Sequence, residues 1–217
     1  LNLYYTGTAG KLGIDVNADC YKSDYNAADN TTEQSQEQDD RQITALNQVK
    51  NEMYAGKTVF TYPIWKGQLS FGAEYTYSNR DNKYLSRNES YVPSSRSNIS
   101  ENYIGTFASY DVQLTFGMLG AGIRYEHVDF EYSEDYQKID SQSKNFDNVF
   151  PTLSFATQFG QVQAQLSYAA TIQRPSYADL SNNVFYINRF TLQQGNPYLL
   201  PSITHDISLN AMWKYFQ

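Results

Sequence analysis

The 217 residues are enough for one large all-β unit, and 20 Tyr and 12 Phe are set among uncharged polar residues with only 18% charged side chains. Such a balance is expected when one face of a sheet meets lipid and the other meets water. The net charge of −7 argues against nucleic acid as a partner, and the single cysteine, Cys20, excludes an internal disulfide framework.

Alternation of apolar and polar residues with a period of two predicts nine strands. The alternation is clearest at 161–173, where Val162 and Leu166 share one face and Gln163 and Gln165 share the other. Strands of about ten residues are long enough to cross a bilayer. In chain order, the predicted strands lie at 1–6, 11–21, 53–64, 68–78, 103–116, 121–132, 149–159, 161–173 and 203–215.

The predicted strand at 121–132 departs from simple alternation. Its apolar positions change phase near His127 and Val128. An extra residue in one strand would produce such a change, so the pattern predicts a β-bulge there.

Short and long connections alternate along the chain. Short turns are predicted near 7–10, 65–67, 117–120 and 160, and long polar loops near 23–48, 79–101, 133–148 and 174–201. Outer-membrane barrels sort their connections in this way, with short periplasmic turns and long extracellular loops. The prediction is an all-β, antiparallel meander of about nine long amphipathic strands, with residues 1–217 forming part of a large transmembrane β-barrel.

The odd number of strands has a consequence for closure. Bacterial single-chain barrels have an even number of strands, and an open sheet edge in lipid leaves backbone groups without hydrogen bonds. We therefore expect these strands to be an arc of a larger barrel.

Several short motifs resemble, in their order and spacing, the Bacteroidetes outer-membrane β-barrels of the TonB-dependent receptor superfamily. The matching segments are Tyr62-Pro63-Ile64 with Leu69-Ser70-Phe71-Gly72, Gly122-Ile123-Arg124-Tyr125-Glu126, Phe150-Pro151-Thr152-Leu153-Ser154, Arg174-Pro175-Ser176-Tyr177 and Gly195-Asn196-Pro197. The loop at 23–48 has no counterpart in the pattern, and Ser202 stands where the family usually has Glu.

The resemblance implies a location in the bacterial outer membrane and a barrel of about twenty-two strands around an N-terminal plug domain. Such a protein imports a scarce ligand with energy from the TonB complex of the inner membrane. The implied partners are outer-membrane lipid, an unknown small-molecule ligand, and the TonB complex through a plug domain that this chain lacks.

The loop at 174–201 is the candidate ligand-binding segment at the extracellular mouth. Its candidate residues are Arg174, Tyr177, Asp179, Asn196 and Tyr198. A purely structural interpretation also stays open, because Pro175 and Pro197 fix φ and Gly195-Asn196-Pro197 is ordinary turn chemistry. Arg174 and Asp179 could form an exposed ion pair.

The sequence gives little support for catalysis or for binding of a metal or phosphate. No Ser, His and Asp grouping has the spacing of a nucleophilic site, and no metal-binding or phosphate-binding motif is present. We expect no catalytic residue, metal or cofactor. We expect Glu74, Asp111 and Arg124 to face the lumen and either to form ion pairs inside the barrel wall or to border the plug. The alternatives to a transporter are a passive porin or adhesin-like barrel and a soluble β-rich carbohydrate-binding module.

Overall fold

The computed structural model describes residues 1–88 and 90–213, which form strands joined by turns and irregular connections. No helix in this part of the chain is long and apolar enough to cross a membrane. The predicted end of the last strand at Tyr215 lies outside the described residues. The strands are β1 Asn2–Ala9, β2 Leu12–Glu33, β3 Arg41–Ile64, β4 Gly67–Ser86, β5 Ser95–Leu114, β6 Gly117–Glu134, β7 Gln137–Lys138, β8 Lys144–Phe159, β9 Val162–Gln173, β10 Val184–Asn188, β11 Thr191–Gln194 and β12 Ser202–Trp213.

Nine of these strands form one antiparallel meander in the order β1-β2-β3-β4-β5-β6-β8-β9-β12. The short strand β7 pairs only with the end of β6, and β10 and β11 form a separate hairpin. The predicted all-β antiparallel meander is confirmed. The described sheet is open, with β1 and β12 as its edges.

The central strands are longer than predicted. Strands β2 to β5 have 22, 24, 20 and 20 residues, whereas a strand crosses a bilayer with about 9–11. The predicted loops at 23–48 and 79–101 are therefore wrong in extent, because the actual connections are only 34–40 and 87–94. The loop at 133–148 shrinks to 135–143, while the connection at 174–201 has the predicted bounds and contains the β10–β11 hairpin.

The short turns lie at 10–11, 65–66, 115–116 and 160–161. The predicted turn at 117–120 is wrong, because Gly117 already begins β6 and residues 115–116 make the reversal. Gly10 and Gly160 have φ of 65° and 58°, the left-handed region that a glycine enters without steric penalty. All four turns lie at the same end of the meander.

Near the short turns, one face of the sheet is apolar and the other is polar. On β4 the apolar face carries Leu69, Phe71, Ala73, Tyr75 and Tyr77, all exposed or half-buried. Across the register, Phe71 faces Ala108 of β5 and Phe60 of β3, so the apolar residues form a continuous band. We call this the apolar band.

Toward the long connections the apolar and polar faces of the sheet exchange, although the strands keep their register. On β6, Ile123 and Tyr125 are exposed on the apolar face, and Asp129 continues the same face, whereas Val128 and Tyr132 are 1% and 0% exposed on the opposite face. Pairing with β5 and β8 runs through His127 with no shift of register. The predicted β-bulge is wrong: the surroundings of the strand change, and its hydrogen bonding does not.

The connection 174–201, here called the strap, covers the inverted part of the sheet. Leu180 packs into a buried cluster with Ile99, Tyr103, Val128, Phe130 and Tyr132 of β5 and β6. Farther along, Val184, Phe185 and Tyr186 of β10 pack on Ile43, Ala45, Tyr84 and Val92. The strap therefore leaves β9, passes back over β6, β5 and β4 to β3, and makes a second layer over the sheet.

Candidate functional site

A row of charged side chains on the polar face fixes the root of the strap. Glu126 accepts hydrogen bonds from Arg124 Nε at 2.7 Å and from Arg174 Nη2 at 2.6 Å. Arg124 also contacts Glu74, whose other oxygen lies 3.6 Å from Lys57 Nζ. Each carboxylate thus lies between two cations, and only 7% of the Glu126 side chain is exposed. A carboxylate this buried needs its partners in order to stay ionised.

Gly105 of β5 makes this row possible. A Cβ atom there would lie 3.1 Å from Glu74 Cγ and 2.5 Å from the Tyr103 hydroxyl, so the missing side chain leaves Glu74 room to reach Arg124 across β5. The Tyr103 hydroxyl accepts a hydrogen bond from Arg124, and the Arg174 guanidinium lies 5.6 Å from the Tyr103 ring centroid.

The predicted ion pairs of the wall are found in part. Glu74 and Arg124 form one. Asp111 lies on the same face, but among the described residues no ion pair involves it.

The far end of the strap is fixed by one carboxylate at the end of β2. Glu33 accepts hydrogen bonds from Tyr186 Oη at 2.8 Å, Arg189 N at 2.9 Å and Arg189 Nε at 3.3 Å. Arg189 Nη1 also donates to Gln38 at 2.7 Å. Only 9% of the Arg189 side chain and 17% of the Glu33 side chain are exposed. Arginine–carboxylate pairs therefore attach the strap at its first residue, Arg174, and at Arg189, where it reaches β2.

The structure separates the five predicted ligand-binding residues into different roles. Arg174 pairs with Glu126 and not, as predicted, with Asp179. Asp179 accepts hydrogen bonds from Ser176 N and Oγ at 3.1 and 2.7 Å, and its backbone oxygen accepts one from Asn196 N at 2.6 Å. Both Asp179 and Asn196 therefore shape the strap.

The two predicted tyrosines differ in exposure. Tyr177 is half-buried against the Leu180 cluster, where burial raises the pKa of its hydroxyl. Tyr198 is 58% exposed, and its backbone N–H donates to Asn196 Oδ1 at 3.0 Å. Of the two tyrosines, Tyr198 therefore has the side chain more accessible to a ligand.

A cavity of about 30 Å³ lies beneath the strap, lined in part by Glu101, Arg174 and Tyr177. Its volume suits one water molecule, far below the 300–1,000 Å³ typical of ligand sites. The cavity belongs to the packing under the strap, so the surface that the strap offers to a ligand is its outer side.

The last part of the strap carries no charge. Residues 190–201 include no Asp, Glu, Lys or Arg. Its large exposed side chains are Phe190 at 86%, Leu192 at 53%, Tyr198 at 58% and Leu200 at 65%. Except for Tyr198, these residues were not among the sequence candidates, although the absence of charge over twelve residues of a predicted polar loop was a usable signal.

An antiparallel meander with an apolar band and its long connections at one end is the architecture of outer-membrane β-barrels. Residues 7–216 match the model of the outer membrane protein beta-barrel family, and the chain belongs to that family. The protein is accordingly located in the outer membrane. This location excludes the soluble carbohydrate-binding module.

Among solved structures, the chain is similar to the hemophore receptor HasR of Serratia marcescens, described as a double mutant in complex with its hemophore HasA and heme. The identity is 14% and the TM-score 0.39, with 97% of this chain and 38% of that chain covered. The chain thus spans well under half the length of the receptor chain it matches. A search of curated proteins found no match.

Proposed function

We propose that this chain forms the wall and extracellular loops of a TonB-dependent outer-membrane receptor that takes up a scarce nutrient. Family membership supports an outer-membrane barrel, and the motifs resembling Bacteroidetes members of the TonB-dependent superfamily support the more specific role. The parent protein would add a plug domain and contact with the TonB complex. Ligand capture by the long connections would precede passage through the gated lumen.

The observation that carries the proposal is the strap. It is held at Glu126 and Glu33 and packed as a second layer, so it presents a rigid surface at the long-connection end of the barrel. A rigid binding surface loses little conformational entropy when a ligand binds, which favours affinity. A passive pore has no comparable need for such a surface.

Growth of the source bacterium tests the role in uptake. Strains lacking the full-length gene, lacking TonB, or lacking both are grown with one limiting nutrient at a time, supplied as heme, ferric siderophore, cobalamin, oligosaccharide or peptide. We expect one nutrient on which deletion of the gene slows growth when TonB is present. Deleting the gene from the strain that already lacks TonB should cause no further loss of growth, because both proteins serve one energised route.

Two results would contradict the proposal. A gene-dependent growth difference that persists unchanged without TonB would indicate a passive porin. No difference on any nutrient, together with loss of surface attachment, would indicate an adhesin.

A further inference from the structure

The hairpin β10–β11 at the far end of the strap is asymmetric. Val184, Phe185 and Tyr186 of β10 are partly buried, whereas all four residues of β11 are exposed. Pairing joins Val184 to Gln194 and Tyr186 to Leu192. One strand therefore faces the protein and the other faces solvent.

Strand β10 is fixed from several directions. The Phe185 ring meets the Tyr84 ring edge-on at a centroid distance of 5.2 Å. Tyr186 Oη and Arg189 both donate to Glu33. These contacts hold the hairpin in place, so β11 is presented at a defined position.

The outer edge of β11 is unpaired. Alternate residues of an antiparallel strand direct their N–H and C=O groups to opposite edges, and β10 uses only one edge of β11. Among residues 1–88 and 90–213, no backbone hydrogen bond to Thr191–Gln194 is observed apart from the pairing with β10.

Natural edge strands are protected by being very short, by charged residues, by Pro or by a bulge that turns the edge away. Strand β11 has the sequence Thr-Leu-Gln-Gln, with no charge and no proline. The register of the hairpin shifts in β10, between Tyr186 and Asn188, and not in β11. Strand β11 is short, at four residues, but its exposed edge carries no charge, proline or bulge, and on a fixed hairpin such an edge can act as a template for another extended chain.

We propose that the free edge of β11 binds an extended peptide segment by β-strand addition. Backbone hydrogen bonds would supply affinity, and side chains alternating along the added strand would supply selectivity. The inference rests on the proposed function, because it assigns a ligand class to the strap's outer surface at the barrel mouth.

The surroundings of the edge define the peptide further. Phe190, Leu192 and Tyr198 are exposed apolar or aromatic side chains, and the charge of Arg189 is already paired with Glu33. With no charged residue in 190–201, this segment itself offers no ion pair to a charged peptide. The fitting ligand is an extended segment of apolar and uncharged polar residues.

Binding is tested with the full-length protein in lipid nanodiscs and a capped, fluorescent peptide of eight alternating Thr and Val residues. Its matched control is the same peptide methylated at every backbone nitrogen, which keeps the side chains and cannot donate a backbone hydrogen bond. We expect saturable binding of the first peptide by fluorescence anisotropy and at least tenfold weaker binding of the second. Equal binding of both peptides, or of neither, would overturn strand addition.

Protein variants locate the edge. Leu192→Pro and Gln193→Pro each remove one N–H, and because the two residues point to opposite edges, one variant blocks the free edge and leaves the β10 pairing intact. Hydrogen exchange of the β10 amides identifies the variant with an intact hairpin. That variant should bind the Thr-Val peptide at least tenfold more weakly, whereas Leu192→Thr, which keeps the backbone, should change binding less than threefold.

Unchanged binding to the intact proline variant would refute the assignment to β11. The growth experiment with and without TonB does not depend on this edge. Failure of peptide binding with TonB-dependent growth retained would therefore reject only the peptide ligand and leave the receptor function standing.

Discussion

Glu126 and Glu33 each hold one arginine of the strap, and their geometry differs from that of ordinary surface ion pairs. The Glu126 side chain is 7% exposed and contacts Arg124 and Arg174 through different oxygens. Hydrogen bonds to charged groups contribute about 1.5–3 kcal/mol, whereas exposed ion pairs contribute about 0–1 kcal/mol. The pair at the root of the strap belongs to the first group because water has little access to Glu126.

Replacing Gly105 with alanine should disrupt the charged row. The new Cβ would lie 2.5 Å from the Tyr103 hydroxyl, so Tyr103 and the Glu74 side chain must move away from Arg124. We expect the Gly105→Ala protein to lose about 1–3 kcal/mol of unfolding free energy, measured by urea titration in phospholipid vesicles.

Gly56→Ala is the matched control, because Gly56 is also in a strand and no atom lies within 4 Å of the position that its Cβ would take. It should change the unfolding free energy by less than about 1 kcal/mol. Equal losses in the two variants would mean that the crowding at Gly105 has no special role.

Strand β4 passes through two environments on one face. Ala73 lies in the middle of the apolar band, whereas Asn79 lies beyond Tyr77, on the same face and toward the long connections. Asn79 faces Glu52 on β3 and Ser100 on β5, so its neighbours are polar. The boundary between lipid and water on this strand therefore falls between Tyr77 and Asn79.

Arginine substitutions locate that boundary. Ala73→Arg should destabilise the folded protein by about 2–4 kcal/mol, because the guanidinium would lie near the bilayer midplane. Asn79→Arg should cost at most about 1 kcal/mol. Both are measured by urea titration in phospholipid vesicles, and a larger loss for Asn79→Arg would move the lipid boundary past Asn79.

The strap joins parts of the molecule that are far apart in sequence. It connects the end of β9 to the end of β2 through the contact of Arg189 with Glu33, 156 residues apart. Burial acts to raise the pKa of Glu33, but hydrogen bonds from Tyr186 and Arg189 together lower it below its ordinary value. A carboxyl with a lowered pKa stabilises the closed strap above the ordinary carboxyl range and loses that effect as the pH falls.

The hairpin at 184–194 should therefore loosen in acid. In wild-type protein, we expect hydrogen-exchange protection of these amides, corrected for intrinsic rates, to fall between pH 6 and pH 3. Glu33→Gln should show lower protection at pH 6 and little change toward pH 3, since the titrating group is gone.

Glu37→Gln serves as the control, because Glu37 is exposed in the connection 34–40 that follows Glu33, and its side chain makes no observed ion pair among the described residues. It should behave as wild type. A Glu33→Gln protein with the wild-type pH profile would show that another group governs the pH dependence of the hairpin's protection.

The amino-acid sequence by itself determined the nine strands of the meander and their order, but not the short strands β7, β10 and β11. Alternation such as that of Val162, Gln163 and Gln165 identifies a strand between two environments, because side chains point to opposite faces with a period of two. The ends of the strands could not be found this way. Beyond Tyr77 and Tyr125 the apolar and polar faces exchange. A polar run such as 79–86 then has the composition of a loop, although its backbone is still paired with the neighbouring strand.

Only the tertiary structure decided what the inverted faces and the strap do. The bulge was predicted on the assumption that one face of β6 stays apolar along the whole strand. Val128, Phe130 and Tyr132 break that assumption, and the pairing with β5 runs through them without a shift. Leu180, distant in sequence, covers these residues, and Glu126 rather than Asp179 takes Arg174. Local patterns report the polarity that a residue meets, but the identity of the covering group depends on contacts between segments about fifty residues apart, which no periodicity encodes.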